Sequence, residues 1–128
     1  MNRPIMPTSI APPAANYVHA VLTEGPARWL HTSGVVPTRA DGSVPSDIAD
    51  QAGVVWSNIA VLLDEAAMTA ADVVSVTTYA VAGEELGAVM AARDRFLGDH
   101  LAASTLVTVP ALARPEWKLE IAIVAATT

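Results

Sequence analysis

The sequence predicts an α+β domain in which two helices cover one side of a mixed β-sheet and a further copy of the chain covers the other. Three observations lead there. Ile48, Ala52, Val55, Ile59, Leu62 and Ala66 recur at three- and four-residue steps, the period of an amphipathic helix of about five turns. Asp72 to Val81 is rich in β-branched residues and predicts a strand. The last apolar segment has no wet face. Residues two apart share a side of a strand, so Leu119, Ile121, Ile123 and Ala125 form one face and Lys118, Glu120, Ala122 and Val124 the other. A sheet with one solvated side would carry polar residues at 122 and 124.

The elements follow in the order β-β-α-β-α-β-β. Residues 1 to 15 contain Pro4, Pro7, Pro12 and Pro13, which deny the segment a helix and leave it an extended lead-in. Tyr17 to Glu24 predicts the first strand, with a turn at Gly25-Pro26, and Trp29 to Val36 the second. Pro37 to Pro45, with Asp41-Gly42, predicts a turn-rich loop. Ser46 or Asp47 is the expected N-cap of the first helix. Glu84 and Glu85 suit the positive end of a second helix through Leu86, Val89, Met90, Arg93 and Phe96, stopped by Gly98. Thr105 to Val109 and Trp117 to Ala125 are the closing strands. Both helices on one side is the economical packing.

Composition supports a single domain over residues 1–128 that self-associates. The chain is 52% hydrophobic and only 16% charged, with a mean hydropathy of +0.40. So small an interior cannot hide that much apolar surface, and a homo-oligomer is expected. No apolar run approaches the ~20 residues that span a bilayer. The Pro-rich start has no apolar stretch of signal-peptide type. With no cysteine there is no disulfide or thiolate metal site, which fits a cytoplasmic protein. The formal charge of −6 and seven scattered Lys and Arg residues offer no clustered basic surface for nucleic acid.

Two places could carry chemistry. Thr32-Ser33-Gly34 ends the second predicted strand, where Gly34 would let a ligand approach the backbone and Ser33 would receive a carboxylate; the alternative is a bulge leading into the loop. Glu120 lies inside the last strand on the side that another copy should cover. A carboxylate in a water-poor cleft has its pKa raised by desolvation and can hold or move a proton near neutrality; the alternative is a salt bridge across a subunit boundary. His19, His31 and His100 have no metal-ligand spacing, and there is no nucleophile elbow or phosphate loop. Trp29, Trp56 and Trp117 are expected to pack rather than to stack bases.

From Asn16-Tyr17 to the C-terminus the chain resembles the RidA-like (YjgF-type) family of reactive-intermediate or imine deaminases. The resemblance rests on Asn16-Tyr17-Val18, Thr32-Ser33-Gly34 with Pro37, Asp41-Gly42 with Pro45, Asn58-Ile59, and Ser104-Thr105-Leu106-Val107 through Leu119-Glu120-Ile121. It implies a chorismate-mutase-like protomer and a homotrimer whose sheets form a central barrel, with small-molecule clefts between subunits. It also implies hydrolysis of enamines and imines to a carbonyl product and ammonia without metal or bound cofactor. Carried over by position, Glu120 matches the catalytic glutamate, Tyr17 the cleft tyrosine, and Ser33 and Gly34 the strand-end backbone site. Leu106 backbone groups would hold polar ligand atoms.

The chain departs from the family where the family's carboxylate-binding arginine falls on Ser104 and its cleft asparagine on Met90. A guanidinium grips a carboxylate bidentately, whereas a serine offers one hydroxyl. The resemblance is therefore to an arginine-lacking subgroup, whose ligand either lacks an α-carboxylate or meets another cation. Arg114, in the loop before Glu120, is the candidate cation. A deaminase and a non-catalytic small-molecule-binding trimer both follow from this, and a ribonuclease fits the negative charge least.

Overall fold

The computed structural model describes residues 1–25 and 27–128; of the expected Gly25-Pro26 turn, Gly25 has a positive φ of 59°, and Pro26 lies outside the described residues. The strands are β1 (Asn2–Ile5), β2 (Ala20–Thr23), β3 (Arg28–His31), β4 (Val73–Val81), β5 (Ala103–Val109) and β6 (Leu119–Thr127). The helices are α1 (Ile48–Glu65) and α2 (Leu86–Leu97), with a 3-10 turn at Ala70–Asp72. The main sheet has the order β3-β6-β4-β5. β4 and β5 are parallel and the other pairs antiparallel, so the sheet is mixed as the pattern required.

The helices lie on one face of that sheet. Leu119, Ile121, Ile123 and Ala125 of β6 are fully buried and join Val76 of β4 with Ile48, Ala52, Val55 and Ile59 of α1 and Val89, Ala92 and Leu97 of α2 in one core. Asp47 caps α1, its carboxylate accepting from the amides of Ala49 and Asp50 at 3.1 and 3.3 Å. One helical expectation is corrected here. Leu62 is 40% exposed, and Leu63 faces the core instead, because four residues after Ile59 stay on the buried stripe better than three at this point of the helix. Gly98, with a φ of 61°, ends α2 as expected.

Three further expectations are adjusted. The Pro-bearing lead-in contains a strand: β1 pairs with β2 in a separate antiparallel ribbon, in which an edge position tolerates Pro4. The first predicted strand shortens to β2, leaving Val18 as a single parallel bridge to Ala103. The second predicted strand stops at His31 and regains the sheet only where Val35 meets Ile121.

The loop after β3 is firmly tied. Asn58 of α1 donates to the carbonyls of Val36 and Thr38 at 3.4 and 3.1 Å. The Ser43 hydroxyl and, to a lesser degree, its amide donate to the Asp41 carboxylate and hold that carboxyl below its ordinary range. Gln51, fully buried, donates to the carbonyls of Pro45 and Glu116 and accepts from the Lys118 amide, each at 2.8 Å. One side chain thus joins the loop ahead of α1 to the entry of β6.

Candidate functional site

The sheet divides the candidate residues into two groups. On the face away from the helices, Glu120 of β6 stands directly opposite Tyr79 of β4, and Ala122, Val124 and His31 share that side. These β6 residues are only half-buried in a single chain. Trp29, stacked on His31 with ring centroids 6.0 Å apart, is 49% exposed. It does not pack within the chain as expected for the tryptophans. Trp56 does, stacked on Phe96 at 4.7 Å. The Trp117 indole N–H donates to the Thr38 hydroxyl at 3.2 Å.

Glu120 meets Gly34 at a break in the ladder. The Thr32 amide donates to the Ile123 carbonyl at 3.1 Å, and Val35 and Ile121 exchange backbone bonds at 2.7 and 3.0 Å. Three steps along one strand oppose two along the other, so Ser33 and Gly34 bulge outward. Among the described residues their amides donate to no protein acceptor. The Glu120 side chain fills the space beside the bulge: a β-carbon on Gly34 would overlap Oε2 and Cδ and stand 2.8 Å from Cγ. Glycine is needed here for close approach. The bulge reading and the ligand-site reading of Thr32-Ser33-Gly34 are therefore compatible. Two amides without a protein acceptor among the described residues and the Ser33 hydroxyl belong to the bulge against which the Glu120 carboxylate lies.

The second group sits at the outer strand β5, on the helix side. Ser104 pairs with Val76, a core residue of β4, and Leu106 packs against the core. Arg93 of α2 donates to the Ser104 hydroxyl at 3.2 Å. Its Nε and Nη2 both lie 3.1 Å from Asp94 Oδ1. Asn16 donates to the other Asp94 oxygen at 3.2 Å. Tyr17 is anchored beside this cluster, its hydroxyl accepting from the Ala14 amide at 3.2 Å while the Val18 amide donates to the Ala102 carbonyl at 3.2 Å. Met90, half-buried, precedes Arg93 by three residues on the same helix.

Arg93, Asp94, Asn16 and Tyr79 are absent from the sequence-based candidates. The only signal for Arg93 was a cation placed among apolar residues of the α2 stripe; Tyr79 shows only as the aromatic residue of the strand face that also carries Ser75 and Thr77. Arg114 joins neither group. Its partners are Glu116 at 3.9 Å and the Trp117 ring at 5.5 Å, and its side chain is 67% exposed. Glu120 and Ser104 face opposite sides of one sheet, with β4 between their strands.

The model of the family described as Endoribonuclease L-PSP matches residues 8–127. The chain belongs to the Rid/YjgF family. A RutC family protein of Haemophilus influenzae is 35% identical over 98 residues, 75% of this chain and 73% of that one. A structure from the conserved Rid protein family of Yersinia pestis superposes with a TM-score of 0.86 at 33% identity, over 98% of both chains. A YjgF family member from Neisseria meningitidis has a TM-score of 0.69 at 26% identity, over 88% of this chain and 87% of its own. The protomer is thus of the chorismate-mutase-like type of the Rid/YjgF family, and no helix among the described residues is long and apolar enough to cross a membrane.

Proposed function

We propose that the chain is a metal- and cofactor-independent hydrolase of small enamines and imines, working as a homotrimer with its site in the cleft between two copies. The observation that carries this reading is the contact of the Glu120 carboxylate with the Gly34 bulge, where two backbone amides lack protein acceptors among the described residues. Such amides suit a polar ligand atom, and the carboxylate beside them suits a proton transfer. An enamine first gains a proton on carbon and loses one from nitrogen, becoming an imine. Glu120 orients a water and removes its proton as the oxygen bonds to the imine carbon. That proton goes to nitrogen to give a carbinolamine, whose hydroxyl proton then passes through the same carboxylate to nitrogen as the carbon–nitrogen bond breaks, releasing ammonia and a carbonyl product. Tyr17, Met90, Ser104 and Leu106 of the neighbouring copy wall the other side of the cleft. The half-exposed apolar face around Glu120 supports closure by another copy, as does the separation of the two residue groups across the sheet.

The test is a coupled assay on 2-aminoacrylate and longer enamines. Turnover above the spontaneous rate that falls with Glu120→Ala supports the reading, and background activity unchanged by that substitution removes it. Ser104 and Met90, standing where the resemblance implies an arginine and an asparagine, favour a second reading: a trimer that binds a small metabolite without consuming it. A ligand that raises the melting temperature and is recovered intact selects this alternative.

A further inference from the structure

We infer that Arg93 is the positioning residue that makes Ser104 a donor selective for a carboxylate or carbonyl oxygen, so that a buried cation on α2 stands behind the hydroxyl on β5. The side chain of Arg93 is 7% exposed. A guanidinium carries five N–H groups and no acceptor. Asp94 takes the Nε–Nη2 edge through one oxygen, and Ser104 sits at Nη1, on the other limb of the fork. This biases the role of the hydroxyl. Its oxygen already accepts from a cation, which directs its own proton away from Arg93 and leaves that proton to be donated to a ligand oxygen. The neighbouring positive charge strengthens that donation, since charge-assisted bonds exceed neutral ones.

Two N–H groups of Arg93, one on each Nη, have no protein acceptor among the described residues. Burial makes such groups costly unless something completes them, and an anionic oxygen beside Ser104 would do so. Asp94 does not cancel this. Its side chain is 37% exposed and its second oxygen is engaged by Asn16, so part of its charge is spent on solvent and amide while the guanidinium stays enclosed. Arg114, by contrast, is solvated and already paired with Glu116. The ligand class that fits is a small carboxylate, such as a 2-oxo acid, and a ligand presenting only an ammonium group at Ser104 is disfavoured. The inference rests on the inter-copy cleft proposed above, but not on turnover within it.

The experiment measures calorimetric binding of pyruvate and its neutral analogue pyruvamide to the full chain and to Arg93→Met, Arg93→Lys and Ser104→Ala. The wild type is expected to favour pyruvate. Arg93→Met and Ser104→Ala should each lower pyruvate affinity about tenfold while changing pyruvamide little, the scale of one charge-assisted hydrogen bond. Arg93→Lys should restore part of the difference. Combining Met at 93 with Ala at 104 should cost no more than either alone, because one residue acts through the other. Equal wild-type affinities, or equal losses for both probes, would overturn the inference. Should Arg93→Met fail to fold, Ser104→Ala and Arg93→Lys decide it on the same criterion. Imine turnover assayed separately keeps the two proposals apart: Arg93-dependent pyruvate binding without turnover removes only the hydrolase reading, and turnover without charge discrimination removes only this one.

Discussion

At the scale of single residues, Gly34 and Glu120 depend on one another. The space a side chain would need at position 34 is filled by the carboxyl end of Glu120, which is flexible enough to move aside. Gly34→Ala should therefore leave the fold intact, with a melting temperature within a few degrees of wild type, while displacing the carboxylate from the free amides. Enamine turnover should drop by about 10²–10⁴, the usual contribution of a positioned acid–base group, and Glu120→Gln should match it. A Gly34→Ala protein that unfolds, or one that keeps full turnover, would contradict this coupling. The glutamate was legible in the sequence because an acid interrupting a two-faced apolar strand is anomalous. Arg93 was not, since a lone arginine on a helix is ordinarily a solvated charge, and only its contact with Ser104 distinguishes it.

At the scale of elements, the site depends on loops held by buried polar bonds. Gln51 makes three such bonds from a fully buried position, and it joins the loop before α1 to the entrance of the strand that carries Glu120. Gln51→Ala should destabilise the fold by about 2–3 kcal/mol, because each loss leaves a buried partner unpaired. Urea unfolding with an unchanged m-value would measure it, and a midpoint equal to wild type would refute it. Both helices and the three long strands were legible from periodicity and β-branching, which report burial directly. The ribbon of β1 and β2 was not. Its pairing is nonlocal, Asn2 meeting Thr23, and prolines that argue against a helix say nothing about an edge strand. The break after His31 was equally hidden, because Ser33-Gly34 continues the apparent strand and only the three-against-two ladder reveals the bulge.

At the scale of the whole molecule, no single chain can unite Glu120 with Ser104, since they face opposite sides of the sheet. A site containing both must be built from two copies. Mixing an inactive Glu120→Ala protein with a weakly binding Ser104→Ala, Arg93→Met protein, then unfolding and refolding them together, should raise activity at low substrate concentration above the average of the two parents. In a random trimer about one site in four would combine both intact halves. A mixture no more active than the average of its parents would mean that each site is assembled within one chain. The open face also accounts for the composition, because Trp29, Val107, Ala122 and Val124 leave apolar surface that one copy cannot cover.

Sedimentation velocity of the full chain in dilute neutral buffer tests the shelter around Glu120 most directly. A species of about 40 kDa, three times the 13.3 kDa chain, is the predicted result. A single boundary at the mass of one chain would contradict it, and with it the enclosed carboxylate on which the proposed hydrolysis rests.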